Sequence, residues 1–284
     1  MNIMELYEAW YYRIDVQFEM VKFLKDRETA FISKNPDTQP GGSRMHKVHC
    51  TKHFQLNMRC FPLRKEYPYN IYHSVAKYEQ GIPNQSLNFK IKSESQINKD
   101  WKDGQHIKEM VEYDLVIDID ALSHDDFNNA RESAVLLHNK FMFLGVPHEI
   151  RFTGMGFHFV CPTTDLMTEY IFDTVFGEHG DKSIFKACAK IGKYLYNNVS
   201  EMIDLKIYDS RRVIKCPYSL SIYDEKDAYI CLPILSSDEL KTSTLNSFKV
   251  TTSKSFTSVR GRGTKIFNEG SSIRPLLELM KHDS

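Results

Sequence analysis

The apolar residues between positions 114 and 216 switch between strand-like and helix-like spacing in an order that few compact folds accommodate. Residues 114–120 read as a strand, and 125–144 as a helix opened by Asp125 or Asp126 and stopped by Gly145. "PHEIRF" and "FHFVC" read as two strands around the turn "TGMG". "SIFKACAKIGKYLYNNVSEMI" reads as a second helix and "RVIKCP" as a strand, with "AYICLPI" a further strand beyond it.

The first six of these elements spell βαββαβ, the ferredoxin-like or RNA-recognition-motif-like unit. In that unit strands one and three are central neighbours and strand four lies beside strand one. The helices then cover one face of the sheet and leave the other open for function. Before this core, "ELYEAWYYRIDVQFEMVKFL" has helical spacing and "YNIYHSVAKY" reads as a strand running into a turn. The expected organisation is α+β: an N-terminal α/β flank over 1–106, a catalytic core over 107–240 and a basic C-terminal segment over 241–284. Residues 35–43 and 79–106 read as loops or excursions.

Within the first core strand, Leu115, Ile117 and Ile119 share one face, while Val116, Asp118 and Asp120 share the other. One face suits a core and the other suits a cation. Two carboxylates about 7 Å apart along a strand repel one another unless a positive charge sits between them. A divalent metal is the usual answer. The bland alternative is that both acids end a strand and cap the following helix.

The third strand carries His158 beside those acids, preceded by Gly154 and Gly156. Glycines at a strand turn permit close backbone approach to a ligand, and exposed N–H groups there receive anions. His158 is thus a candidate phosphate contact, although G-x-x-x-x-G-K-[ST] is absent. Further on, Asp204 and Asp209 approach the fourth strand, Arg212 and Lys215 lie on or near it, and Ser219, Ser221 and Lys226 follow. Acids that complete a metal site, followed by cations that hold a triphosphate, form the inventory of nucleotidyl transfer.

Bulk properties exclude several classes. The 284 residues carry 37 Lys and Arg against 37 Asp and Glu, so no bulk positive field draws in polyanions and any nucleic-acid contact is local. One local candidate is the acid-free run Lys241, Lys249, Lys254, Arg260, Arg262 and Lys265, which also reads simply as a solvated segment. No secretory leader and no membrane span is legible, so a cytoplasmic setting at the nucleoid or replication machinery is expected, with no membrane partner. The six cysteines include no C-x-x-C pair and read as reduced thiols. His46, His49, Cys50 and His53, with Cys60 downstream, lack the paired spacing of a structural zinc site, so zinc is not expected.

"LVIDIDA", "RFTGMGFHF" and "DLKIYDSRRVIKCPYSLS", in that order, resemble the three motifs of the archaeo-eukaryotic primase superfamily. The likeness is closest to the archaeal primase catalytic small subunit and to plasmid or viral primase-polymerases. "RETAF" at 27–31 and "PYNIYHSVAKY" at 68–78 resemble N-terminal segments of that group, so the resemblance covers roughly residues 20 to 235. It implies one primase-type catalytic domain that makes or extends primers on single-stranded DNA from NTPs or dNTPs. It also implies two Mg²⁺ or Mn²⁺ ions on Asp118, Asp120 and Asp204, with Asp209 as alternative to the last. Thr153 and His158 fall on triphosphate-contacting positions, and Arg212 and Lys215 on triphosphate or template positions. A primase large subunit or a replicative helicase is the implied partner. The family's imidazole after Ser-Leu is replaced by Ser221, with Lys226 a candidate substitute, and Met155 stands where a basic residue is frequent.

Rival readings are distinguishable. A sugar-nucleotide glycosyltransferase also uses Asp-x-Asp, but leaves the His158 and Arg212–Ser221 motifs without a role. A non-catalytic nucleic-acid-binding module needs an open sheet of stacking aromatics rather than acids. A nuclease would degrade template without nucleotides.

Overall fold

The computed structural model describes residues 3–33, 43–46, 52, 54–55, 68–78, 110–163, 184–208, 212–222, 227–250 and 262–282. Helices α1 (Ile3–Tyr11) and α2 (Ile14–Leu24) lead into strands β1 (Thr29–Ser33), β2 (Ser43–His46), β3 (Pro68–Ser74), β4 (Ala76–Tyr78) and β5 (Met110–Tyr113). The core follows as β6 (Leu115–Ile119), α3 (Phe127–Leu144), β7 (Glu149–Phe152), β8 (Phe157–Cys161) and α4 (Ile184–Asn198). Then come β9 (Val213–Lys215), β10 (Leu220–Ile222), β11 (Ala228–Ile230), β12 (Pro233–Ile234), α5 (Ser237–Thr242), α6 (Leu245–Phe248) and α7 (Arg274–His282).

The central layer is a four-stranded antiparallel sheet ordered β12-β7-β8-β6. Strands one and three of the expected unit, β6 and β8, are neighbours as the βαββαβ reading requires. Leu115, Ile117 and Ile119 of β6 and Phe157 and Phe159 of β8 are wholly buried against the helical side. Burial of each such side chain contributes roughly 1.5–3 kcal/mol, which fixes which face is inward. Helix α3 stops where Gly145 takes a left-handed conformation (φ 71°) and returns its N–H to Met142 and Phe141.

The fourth strand is a correction. "RVIKCP" is extended, but β9 does not lie beside β6; it pairs with β3 through Tyr72–Lys215, His73–Ile214 and Ser74–Val213, completing a second four-stranded sheet ordered β2-β1-β3-β9. The edge of β6 is taken instead by the chain leaving α4, which bridges Ile119 to Ile203 and exchanges Asp120 N–H→Met202 O and Asp204 N–H→Asp118 O bonds. With that edge occupied, β9 pairs in the flank. "AYICLPI" likewise divides: Ala228–Ile230 pairs with β10, while Pro233–Ile234 extends the central sheet beyond β7.

Two apolar clusters underlie the sheets. One is built on β6–β8, α3, α4 and α7, and the other joins Leu6, Trp10, Tyr11, Met20 and Phe31 of the flank to Cys216, Tyr218 and Leu220. The sheets are cross-braced by a buried ion pair, in which Arg27 bonds Asp114 just ahead of β6 and also donates to the carbonyls of Ser74 and Val75. Arg27 belongs to "RETAF", so that segment serves the scaffold. Residues 262–282 pack on the central layer through the His148–Phe267 bridge and buried Leu276 and Leu277. His49, Cys50, His53, Cys60, Lys254 and Arg260 lie outside the described residues, as does the 79–106 excursion. Among the described residues, no helix is long and apolar enough to cross a membrane.

Candidate active site

Register alone assembles a polar row across the face of the central sheet that is turned away from the helices, a face covered by the flank sheet rather than left open. Arg151 opposes His158 between β7 and β8, and His158 opposes Asp118 between β8 and β6. The antiparallel Ile119–Ile203 bridge then sets Asp204 opposite Asp118. Directly opposed residues share a face, so Arg151, His158, Asp118 and Asp204 form one line.

His158, Asp118 and Asp204 of this row floor a cavity of about 320 Å³, also lined by Asp120, Thr153, Arg212, Lys215 and Ser221, with Asn70, Tyr72, Ile207, Val213 and Ile214 completing its walls. The sequence thus anticipated most of its polar lining. His158 is buried, its Nε2 lies 3.3 Å from Asp118 Oδ1, and both His158 Nδ1 and Asp118 Oδ1 are buried without a hydrogen-bond partner. Such atoms are costly unless a ligand, ion or water completes them.

The two neighbouring carboxylates are electrostatically linked. Asp120 is exposed at the cavity mouth, but partial desolvation of its carboxyl, reinforced by the Asp118 charge, pushes it up to about 6; His158 and Lys215 act in the opposite direction. Asp204 stands at the start of the short 205–207 helix, where its Oδ1 accepts from Lys206 N–H at 2.8 Å.

The cationic wall comes from the flank sheet. Lys215, buried on β9, donates to Thr153 O at 2.8 Å and to Ser221 Oγ, and its ammonium lies 5.8 Å from the Tyr72 ring centroid. Arg212 is tied to the same rim by bonds to the carbonyls of Ile207 and Lys206.

Three expected contacts need revision. Ser219 is not in the cavity: its Oγ accepts from Ile71 N–H at 2.7 Å, lies 3.1 Å from Tyr11 Oη and donates to Leu220 O, so it fastens α1 to β3. The preceding Tyr218 adopts φ 68° in the turn after Cys216-Pro217, which directs Ser219 inward. Gly156 approaches protein rather than ligand, since a Cβ there would sit 1.8 Å from Ile119 O. Gly154 supplies the positive φ (114°) of the hairpin closed by Thr153 N–H→Gly156 O, with Gly156 N–H→Thr153 Oγ1 beside it. Asp209 and Lys226 lie outside the described residues.

Asn70, Tyr72 and Arg151 were missed. The first two sit at alternate positions of "PYNIYHSVAKY", a period-two signal that was present but had no partner sheet to give it meaning. Arg151 is buried with Glu149 and donates to His73 Nε2 at 3.0 Å. Arginine has no acceptor, so His73 Nε2 accepts and its Nδ1–H is left to donate to Ser74 O at 2.9 Å. His73 is therefore neutral, in line with a pKa held well below the usual value by burial and by Arg27 and Arg151.

A divalent cation is implied by the primase resemblance. The donor set at Asp118, Asp120 and Asp204 is all oxygen, which suits Mg²⁺ or Mn²⁺ over zinc. The buried, unpartnered Asp118 oxygen is an acceptor that such an ion would complete. Among the described residues no three His, Cys, Asp or Glu side chains converge on one point.

No protein-family model matches the chain, and no curated protein matches it. Among solved structures it is similar to the polymerase domain from Mycobacterium tuberculosis Ligase D in complex with DNA, at 8% identity and a TM-score of 0.49, over 99% of this chain and 88% of that chain.

Proposed function

We propose that the cavity performs template-directed nucleotidyl transfer on single-stranded DNA, as a primase or primase-polymerase. The observation that carries this reading is the cross-strand row that brings Asp118, Asp204 and His158 to one cavity also walled by Lys215 and Arg212. Carboxylates on one side of a cavity that face the buried Lys215 and the half-buried Arg212 on the other are what separate binding of metal and triphosphate requires.

In this reading Asp118, Asp120 and Asp204 hold Mg²⁺ or Mn²⁺. Bound there, the metal supplies charge neutralisation at the transferring phosphoryl group and activation of the attacking hydroxyl. The remaining chemistry belongs to the chain's own groups. Lys215, held on one side by Thr153 O and on the other by Ser221, presents a fixed positive charge to the triphosphate. His158 offers Nδ1 to a phosphate oxygen while its Nε2 edge faces Asp118. Arg212 marks the rim where triphosphate or template backbone passes.

The test is incubation with single-stranded DNA, Mg²⁺ or Mn²⁺ and labelled NTPs or dNTPs, with and without primer, beside Asp118→Ala. Incorporation that disappears in the variant supports the reading. Metal-dependent loss of template without nucleotides would replace it with a nuclease.

A further inference from the structure

We propose that Asn70 recognises a hydroxyl of the incoming nucleotide's sugar, an inference that rests on the nucleotidyl-transfer reading of the same cavity. Asn70 enters the cavity from β3, and its Oδ1 is buried with no hydrogen-bond partner. A buried, unpaired amide oxygen is disfavoured unless a ligand or water completes it.

The chemistry of the walls divides the substrate. Asp118, Asp120, Asp204, His158, Lys215 and Arg212 are the groups suited to metal and phosphate. Asn70 is neutral and sits on the flank strand with Tyr72, which suits the nucleoside. A phosphate oxygen only accepts, so it cannot satisfy Asn70 Oδ1. A sugar hydroxyl both donates and accepts, and so satisfies the amide in either orientation of its oxygen and nitrogen.

The same reasoning separates sugar from base. A template-copying site admits four bases whose edges place donors differently, whereas the sugar hydroxyls are common to all of them. An unpaired amide oxygen, which needs a donor, therefore finds one common to every substrate only on the sugar. Asn70 is a specificity-determining residue rather than part of the phosphate machinery.

The experiment is equilibrium titration of the full chain, wild type and Asn70→Ala, with Mg²⁺ and each of ATP, 2′-deoxy-ATP, 2′,3′-dideoxy-ATP and inorganic tripolyphosphate, repeated with the UTP series. The wild type is expected to lose about tenfold in affinity at the step that removes the recognised hydroxyl, equally for adenine and uracil. Asn70→Ala should abolish that step and bind tripolyphosphate as the wild type does. The step at which affinity falls identifies the 2′ or the 3′ hydroxyl. Wild-type affinity indifferent to both hydroxyls, or a step seen with one base only, overturns the proposal without recourse to the variant. An equal loss across all ligands in Asn70→Ala overturns it in favour of a structural role. Absence of incorporation with the hydroxyl step intact would remove the transfer reading and leave sugar recognition standing; absence of any nucleotide binding removes both.

Discussion

His158 Nε2 lies 3.3 Å from Asp118 Oδ1, and the two residues oppose each other in the β6–β8 register, so the strand pairing itself sets an imidazole against a carboxylate. Asp118 is also the group whose charge raises Asp120. Asp118→Asn should therefore do two things. It should cut nucleotidyl transfer by about a thousandfold or more. It should also lower the Asp120 midpoint from about 6 toward the ordinary carboxylate value, as read by carboxyl carbon NMR in the metal-free protein. An unmoved Asp120 midpoint would disprove the coupling.

Asp120 also gives a stability prediction with a definite sign. Its folded pKa is raised, so the native state holds its proton more tightly than the unfolded chain. The penalty is fully present above pH 6, declines as pH falls through about 6 and vanishes below the unfolded value near 4. Asp120→Asn should erase this contribution, and denaturant melts from pH 7.5 to 4 compared with the wild type would reveal it.

A buried histidine pair works the other way. His148 Nδ1 faces Val146 O at 2.8 Å and so donates, leaving Nε2 to accept from His138 Nδ1 at 2.9 Å, while His138 Nε2 accepts from Ser237 at 2.7 Å. Both imidazoles are neutral, and burial lowers each to about 4. Stability is full above pH 6.5 and falls as pH drops toward 4, because only the unfolded chain takes up protons there. The loss should be on the order of 3 kcal/mol for each imidazole by pH 4. His148→Phe keeps the stacking on Phe159 and Phe267 and should flatten the pH dependence, at a cost of about 1–3 kcal/mol for the stranded His138 N–H.

Gly156→Ala should destabilise by roughly 1–3 kcal/mol, since the new Cβ would meet Ile119 O at 1.8 Å and force β8 away from β6. The strain falls on the peptide bearing Asp120, so transfer activity should fall further than stability does. Thermal melting alongside activity, with Met155→Ala as the unstrained neighbour, separates the effects.

Breaking the Arg27–Asp114 brace by Asp114→Ala strands a buried guanidinium and should cost about 3–5 kcal/mol. Asp114→Asn should cost less, because it retains an acceptor for Arg27. Urea melts of both variants check this, and equal costs would show that packing rather than charge carries the brace.

The local elements were legible in the sequence because they depend on near neighbours. Alternation put Asp118 and Asp120 on the face opposite Ile117 and Ile119, Gly145 ended α3, and Gly154 marked the hairpin turn. The chemistry of the cavity was legible for the same reason, since carboxylates in an apolar strand have few physical excuses. Where β9 pairs was decided only in three dimensions. Its own residues suit either sheet, and the free edge of β6 is already taken by residues 202–204. That one choice carries Lys215 into the cavity beside Tyr72 and brings Asn70 in with it. Ser219 and Ser221, two residues apart, were indistinguishable by pattern until the turn at Tyr218 sent one into the flank core and the other to Lys215. The elements, the inward faces and the acidic side of the cavity follow from near neighbours and were readable from sequence; the side that carries Lys215, Tyr72 and Asn70 was set by tertiary pairing, because it depends on competition between sheet edges far apart in the chain.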